Sequence, residues 1–434
     1  MQFLLTIFYC CVFAYIIYKW KFFHDNEIQK SWFIAAFGLK ILFSILLTLI
    51  YTYYYTDRST SDIYKYFDDS KIMFDALKTK PIDYFKMLFG FDNDSVYFDE
   101  TYYKKMIFWY RAYNSNLFSD SHIIIRFNAF IRCFSFGYIY VHNVFINFIS
   151  LLGLAALFKF FKPLFIGNAK GLFYAIFLIP SVLFWGSGLL KEGLILFGLG
   201  FLLLSFQQFF IKFKWYYLLL MIGSIVILLY SKLYVIAALS VPLLGYLFYS
   251  KFSKTQPILS CVYALFTISI LLFGLWFVNH KFNPIEIMVE KQHEFIRYIT
   301  YFPANSSFEI PELSNGLSIF KYTPNAWLNT FIRPYLWESK SPFVLLSSLE
   351  NLLFIGLFMV VLFFPNKKRE RLFYVIFCLS FVIILFTIIG LMIPIFGALV
   401  RYKVPGLPFL AVALLLLIDV DALKNKFTFL KKIL

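Results

Sequence analysis

Apolar stretches of about 20 residues, enough to cross a hydrocarbon layer roughly 30 Å thick as a helix, recur from one end of this chain to the other. Lipid offers no partner for a bare peptide group, so a crossing segment must satisfy its own backbone. The runs therefore predict an all-α, polytopic transmembrane bundle of about eleven spans, within a range of nine to thirteen. They lie near 3–22, 32–55, 137–161, 171–186, 193–211, 216–230, 233–250, 257–279, 342–364, 372–393 and 403–419. Composition agrees: the chain is 61% hydrophobic and 15% charged, with a mean hydropathy of +0.74. Soluble domains carry about 45–50% apolar and about 25% charged residues. The expectation is one integral-membrane domain over residues 1–434.

The opening "MQFLLTIFYCC" has no basic leader and no small-residue cleavage site, and reads as a first span. Cys10, Cys11, Cys133, Cys261 and Cys378 all fall in apolar segments without metal-ligand spacing, and are expected to be buried and inert. A net charge of +16 would suit nucleic acid, but its distribution does not. Lysines and arginines cluster in short loops after apolar runs: "KWKFFHDNEIQK", "KFFKP", "KFKW", "SKFSK", "NKKRER" and "KNKFTFLKK". All six fall on one side if the N-terminus is outside and the C-terminus cytoplasmic, as basic loops do. No phosphate loop, RNP-like motif or zinc spacing accompanies them, so no nucleic-acid partner is expected.

That orientation gathers the remaining polar features on the outer face. Loop 56–122 holds eleven of the 24 acidic residues. Within it "STSDIYKYFDDSKIMFDALKTKP" predicts a juxtamembrane amphipathic helix, with Ser61 as N-cap and an end before Pro81. Asp62, Tyr66 and Asp69 share one face, and Ile63, Phe67, Phe74 and Leu77 form an apolar side suited to the bilayer surface. Asp68 and Asp69 are read either as a solvated acidic face with Lys65–Asp69 and Asp68–Lys71 helix pairs, or as a general base or metal-supporting carboxylate. Cations near the outer span ends are Lys191, Lys232, Arg333, Arg401 and, entering the third span, Arg126 and Arg132. Each either snorkels to the headgroups or joins a clamp on a lipid phosphate. Lys191 has a third option, an ion pair with Glu192 or a facing carboxylate. His142, Asn143 and Asn147 read as helix-packing hydrogen-bond partners. His280 and His293, in the second outer loop 280–341, show no partner pattern.

The layout resembles the GT-C class of integral-membrane glycosyltransferases, on the strength of "SDIYKYFDDSKIMFDAL", "PSVLFWGSGLLKEG" and "GALVRYKVPGLPFLAV". The resemblance implies a sugar taken from a polyprenyl-phosphate donor and passed to a glycan or lipid-linked acceptor, in cell-surface polysaccharide synthesis. It implies catalysis by Asp68 or Asp69, with Asp62 beside them. It implies donor-phosphate binding by Lys191, Arg333 and Arg401, with Lys232 and Arg126 as further cations. Glu192, Tyr66 and Tyr402 complete the expected pocket. The chain departs from the class in an extra span before the acidic loop and in the absence of a soluble domain after the last helix. No cofactor is implied with certainty, and a divalent metal stays open. The expected location is a bacterial cytoplasmic membrane, with membrane lipid around it and the site facing outward. Two other readings remain: a polysaccharide polymerase or ligase, which would not require Asp68 and Asp69, and a lipid-linked-sugar transporter. The transporter is disfavoured because the charges lie at span ends and no internal repeat is found.

Overall fold

A computed structural model describes residues 1–434 except 56, 59–60, 111–119, 252–255, 279–282, 302–305, 340, 367–370 and 428–434. His280 and parts of the last three basic loops lie outside the described residues. Among those described the chain is helical, without strands beyond two isolated bridges. The helices are α1 (Gln2–Lys19), α2 (Lys30–Tyr53), α3 (Asp62–Thr79), α4 (Pro81–Phe89), α5 (Val96–Thr101), α6 (His122–Ser135) and α7 (Ile139–Phe161). There follow α8 (Ala169–Phe177), α9 (Pro180–Trp185), α10 (Lys191–Lys212), α11 (Trp215–Ser231), α12 (Leu233–Lys251), α13 (Pro257–Val278) and α14 (Pro284–Tyr301). The last six are α15 (Gly316–Trp327), α16 (Pro342–Phe363), α17 (Leu372–Met392), α18 (Phe396–Lys403), α19 (Leu407–Leu417) and α20 (Val420–Lys426).

Eight of these are long and apolar enough to cross a membrane: α1, α2, α7, α10, α12, α13, α16 and α17. The pair α18–α19, bent by 59°, makes a ninth if counted as one span. Two expected spans differ. The run 171–186 is not one helix but α8 and α9, broken at Leu178–Ile179. Pro180 explains the break: it brings no N–H to the ladder and pushes the residue before it out of helical geometry. The run 216–230 forms α11, 17 residues long and a little short of a full crossing.

The chain divides into two compact units. The first comprises residues 1–163 and 182–233. Its centre is α7, against which α10 packs so closely that a Cβ at Gly200 would sit 1.9 Å from the Gly153 carbonyl oxygen. Reciprocally, a Cβ at Gly153 would meet the Phe197 backbone at 2.3 Å. At one end of this unit Lys162 pairs with Glu27 at 2.6 Å and Asp25 at 3.7 Å. Lys30 Nζ there donates to the Tyr18 carbonyl at 2.7 Å.

The other end carries α3–α6. Here the apolar side of α3 does not lie on the bilayer surface as expected. Ile63 and Phe67 are buried in a protein core with Leu47, Ile124, Ile125 and Ala129, and Phe74 and Leu77 pack against it. A partner helix was available, because α6 is itself amphipathic: Ile124, Ile125 and Ala129 recur on one face at helical spacing. Ser61 occupies the N-cap position without capping, since its buried hydroxyl makes no hydrogen bond. Three cysteines also differ from expectation, as Cys11 and Cys133 are exposed and Cys10 is half-buried.

The second unit comprises residues 164–181 and 234–434. Its centre is α17, flanked by α19, α15 and α13. It too has a backbone-to-backbone contact, with a Cβ at Gly390 falling 2.3 Å from the Ala326 carbonyl oxygen.

Candidate functional site

In the first unit, α2 and α11 end, and α7 and α10 begin, beneath the cap of α3–α6. Lys191 opens α10, and Lys232 follows the last residue of α11. Both lysines reach one acceptor that the sequence did not single out: Asp120 Oδ2, at 2.6 Å from Lys191 Nζ and 2.9 Å from Lys232 Nζ. The lysine side chains are 2% and 5% exposed, whereas Asp120 is 26% exposed. The carboxylate is thus the member of the trio that solvent or a ligand reaches.

Helix ends sharpen the electrostatics. Asp120 stands two residues before the first residue of α6, where a negative charge is favoured. Lys191 stands at the positive end of α10, which is unfavourable for a cation and favourable for an arriving anion. Glu192, buried in the first turn of α10, offsets part of that charge.

Tyr66, on α3, places its ring 5.7 Å from Lys191 Nζ. That ring is held edge-to-face by Phe108 at 5.3 Å. Phe108 is in turn fixed by Asp69, whose two carboxylate oxygens accept the N–H groups of Ile107 (2.8 Å) and Phe108 (2.7 Å). Asp69 is 1% exposed. Burial pushes its carboxyl up to about 6, against the two backbone N–H bonds that oppose the rise. Asp69 therefore supports the wall of the cluster.

Asp68 points elsewhere. Its two oxygens take Arg58 Nε at 2.8 Å and Nη2 at 2.6 Å, an exposed fork-to-fork pair in place of the expected helix pair with Lys71. Asp62 is partly buried in the first turn of α3.

Two arginines read as phosphate ligands or headgroup anchors serve the cap. Arg126 Nε donates to the Met87 carbonyl at 2.8 Å, in the last turn of α4, and burial pushes its guanidinium below the ordinary value. Arg132 donates to Ser70 Oγ (2.8 Å) and to the Phe67 carbonyl (2.5 Å), fastening α6 to α3. Burial lowers its guanidinium to about 10. His142 lies between Ser135 Oγ (2.7 Å) and Asn128 Oδ1 (2.9 Å). That order resembles a nucleophile relay, but all three residues are fully enclosed, so the set knits α6 to α7.

Arg333, Arg401 and Tyr402 belong to the second unit. Arg333 is bound by Glu338, with Nη2 at 2.5 Å and Nε at 2.9 Å from Oε1, and by Asn329 Oδ1 at 3.0 Å. Burial alone would raise the Glu338 carboxyl; the Arg333 hydrogen bonds, the Tyr335 N–H and the arginine charge together hold it below its ordinary value. Arg401, on α18, is nearly buried. Tyr402 stacks on Tyr234 with ring centroids 6.0 Å apart. Also on α18, Lys403 Nζ donates to Asn351 Oδ1 at 3.0 Å, and Asn351 Nδ2 donates to the Ile332 carbonyl at 3.1 Å. The residue before it on α16, Glu350, accepts the Ser181 N–H at 2.6 Å.

Among the described residues no three His, Cys, Asp or Glu side chains are grouped to hold a metal. The apolar groove of about 470 Å³ between α10 and α11, lined by Phe197, Phe201, Trp215 and Ile227, carries no charged side chain. Sequence reasoning missed Asp120 because the signal for it is three-dimensional: a lone aspartate before an amphipathic helix is unremarkable until two lysines 71 and 112 residues further along reach it. Comparison with protein-family models, with curated proteins and with solved structures finds no match to this chain.

Proposed function

We propose that the chain is a multi-pass membrane glycosyltransferase, which takes a sugar from a polyprenyl-phosphate donor and passes it to a glycan or lipid-linked acceptor at the outer membrane surface. The observation that carries this reading is the convergence of Lys191 and Lys232 on the partly exposed Asp120. Sugar transfer from a lipid phosphate needs cations where the leaving phosphate gathers charge, and a carboxylate to take the acceptor's proton. The cluster supplies both at one end of the apolar helices. In this reading the phosphate enters as a competing anion at the α10 N-terminus and frees Asp120 from one lysine. The released carboxylate then acts as base toward the acceptor hydroxyl. Asp69 and Tyr66 hold the wall, and Asp68 stays with Arg58.

A second reading, a polysaccharide polymerase or ligase, has one observation in its favour: both acids of the "DD" pair are engaged within the cap, and a polymerase would not require them. The two separate in one experiment. D120N, K191M and K232M are expressed beside D68N as a control, surface glycan is examined, and membranes are assayed for transfer from a polyprenyl-phosphate sugar. The transferase reading expects a loss of about 100-fold or more in D120N and K191M, with D68N within a few-fold of the parent. It fails if the K191M/K232M double variant, at normal protein level, makes normal glycan. Single repeat units without long chains would instead select the polymerase.

A further inference from the structure

A second polar feature of the first unit lies where no charge was expected. Lys40 sits in the middle of α2, ten residues from the start of a 24-residue apolar helix, and its side chain is fully enclosed. Nζ donates to the Gly186 carbonyl at 2.8 Å and to Ser187 Oγ at 3.2 Å. Among the described residues no carboxylate pairs with it. Burying an amine without a counter-ion is costly enough that such a group sheds its proton or retains water, and an ionisable residue inside a span marks function by default.

Above Lys40 the seam between α2 and α7 is polar at every turn. On α2 the residues are Lys40, Ser44, Thr48 and Thr52, each four apart. On the antiparallel α7 they are Ser150, Asn147 and Asn143. Ser150 Oγ donates to the same Gly186 carbonyl at 2.9 Å, and Asn143 Nδ2 donates to Thr48 Oγ1 at 2.9 Å. Thr52 closes the series by bonding the Tyr64 hydroxyl on α3. At about 1.5 Å per residue the ladder is roughly 18 Å long.

Three small polar residues in a row would be no more than a packing device. An independent observation goes further. Asn143 and Asn147, 2% and 0% exposed, each leave the side-chain oxygen without any hydrogen-bond partner. Turning either amide over would strand its NH2 instead, so the deficit stands in both orientations. A buried amide oxygen without a partner is destabilising. Two of them one turn apart, facing a ladder of hydroxyls, have the chemistry of a water site, where each water finds two to four polar partners.

Below Lys40 the same seam is dry. Phe33, Ala36 and Phe37 of α2 are buried, and Phe33 meets Phe158 of α7 at 5.9 Å between ring centroids. We propose that the α2–α7 seam binds a file of ordered water that joins the Lys40 amine to the Tyr64 end of the unit, a one-sided inlet for water and protons. It does not depend on which reaction the Asp120 cluster serves.

The test uses the hydrated silver ion as a probe. Ser44, Asn147 and Leu154 are replaced by cysteine, one at a time, in a chain whose five native cysteines are serine. Sealed vesicles of both orientations are exposed to Ag⁺, then denatured, and the surviving thiol is alkylated and quantified by mass spectrometry. Ag⁺ applied from the Tyr64 side is expected to reduce alkylation of S44C and N147C at least ten-fold and to leave L154C unchanged. The conservative S44C guards against misfolding, and normal alkylation of each variant without Ag⁺ confirms that the thiol is intact. The proposal is overturned if S44C and N147C are as unreactive as L154C, or if they react equally from both sides.

Discussion

One group of cations in each unit shows two ways of holding charge. In the first, Lys191 and Lys232 share one carboxylate that is itself a quarter open. In the second, Lys403 is held by Asn351, which also fastens the Ile332 carbonyl, and the partly exposed Arg333 is bound by Glu338 and Asn329. An amide that bonds a lysine on one side and a backbone on the other is committed to structure. A carboxylate shared by two cations can be exchanged for another anion. The contrast explains why proximity of basic residues to span ends, which all of them satisfy in the sequence, is a poor guide to ligand binding. What matters is whether the partner is replaceable.

The contrast breaks most visibly at Asp120. D120N leaves two enclosed lysines without their carboxylate, and losing one member of a buried ion pair costs about 3–5 kcal/mol. A clear fall in Tm in detergent is expected, at the lower end of that range because Asp120 is partly open. The triple variant D120L/K191M/K232M should regain most of the stability and none of the activity, since apolar replacement of a whole buried cluster is often near neutral. An unchanged Tm in D120N would show that the cluster is solvated after all.

A smaller effect is expected in the second unit. N351A strips a partner from both Lys403 and the Ile332 carbonyl, each loss in the range of about 1–3 kcal/mol for a stranded buried group. Activity per folded molecule should stay within two-fold of the parent. Activity falling out of proportion to Tm would place Asn351 near the chemistry and erase the distinction.

The smallest effect is one of sign. Asp69 of the first unit is raised to about 6 from an ordinary 3.8, so the folded state holds its proton more tightly than the unfolded chain. Its neighbourhood is most stable below pH 3.8 and loses that increment as pH rises to about 6. Glu338 of the second unit is held below its ordinary 4.5. Its contribution is complete above that value and is lost as pH falls through the lowered one. Amide exchange, corrected for its intrinsic pH dependence, should therefore accelerate a few-fold in the core around Asp69, at Ile125 and Ala129, between pH 4 and 6. At Tyr335 it should accelerate toward acid instead. Equal behaviour at both would remove the contrast.

Much of the fold was legible because lipid enforces length and apolarity: α1, α2, α7, α10, α12, α13, α16 and α17 stand close to the runs that predict them. Pro180 was a readable warning that 171–186 would break, overlooked because the apolar run continues through it. The destination of α3's apolar face was not readable, since a bilayer and the face of α6 present the same chemistry to Ile63 and Phe67. Lys191 and Lys232 were legible as cations near an interface; their common partner was not. Lys40 was invisible for the opposite reason, one charge in the 24 residues of the run 32–55 being too little to disturb a hydropathy average.

The glycine contact between α7 and α10 has a mechanical consequence. Where the Gly153 carbonyl and Gly200 touch with no side chain between them, the two helices cannot ratchet past one another without first coming apart. Lys191 rides on one member of that welded pair, so its height in the first unit is set. Any gating within this unit falls to the capping helices, where α6 is fastened to α4 and α3 by the side chains of Arg126 and Arg132.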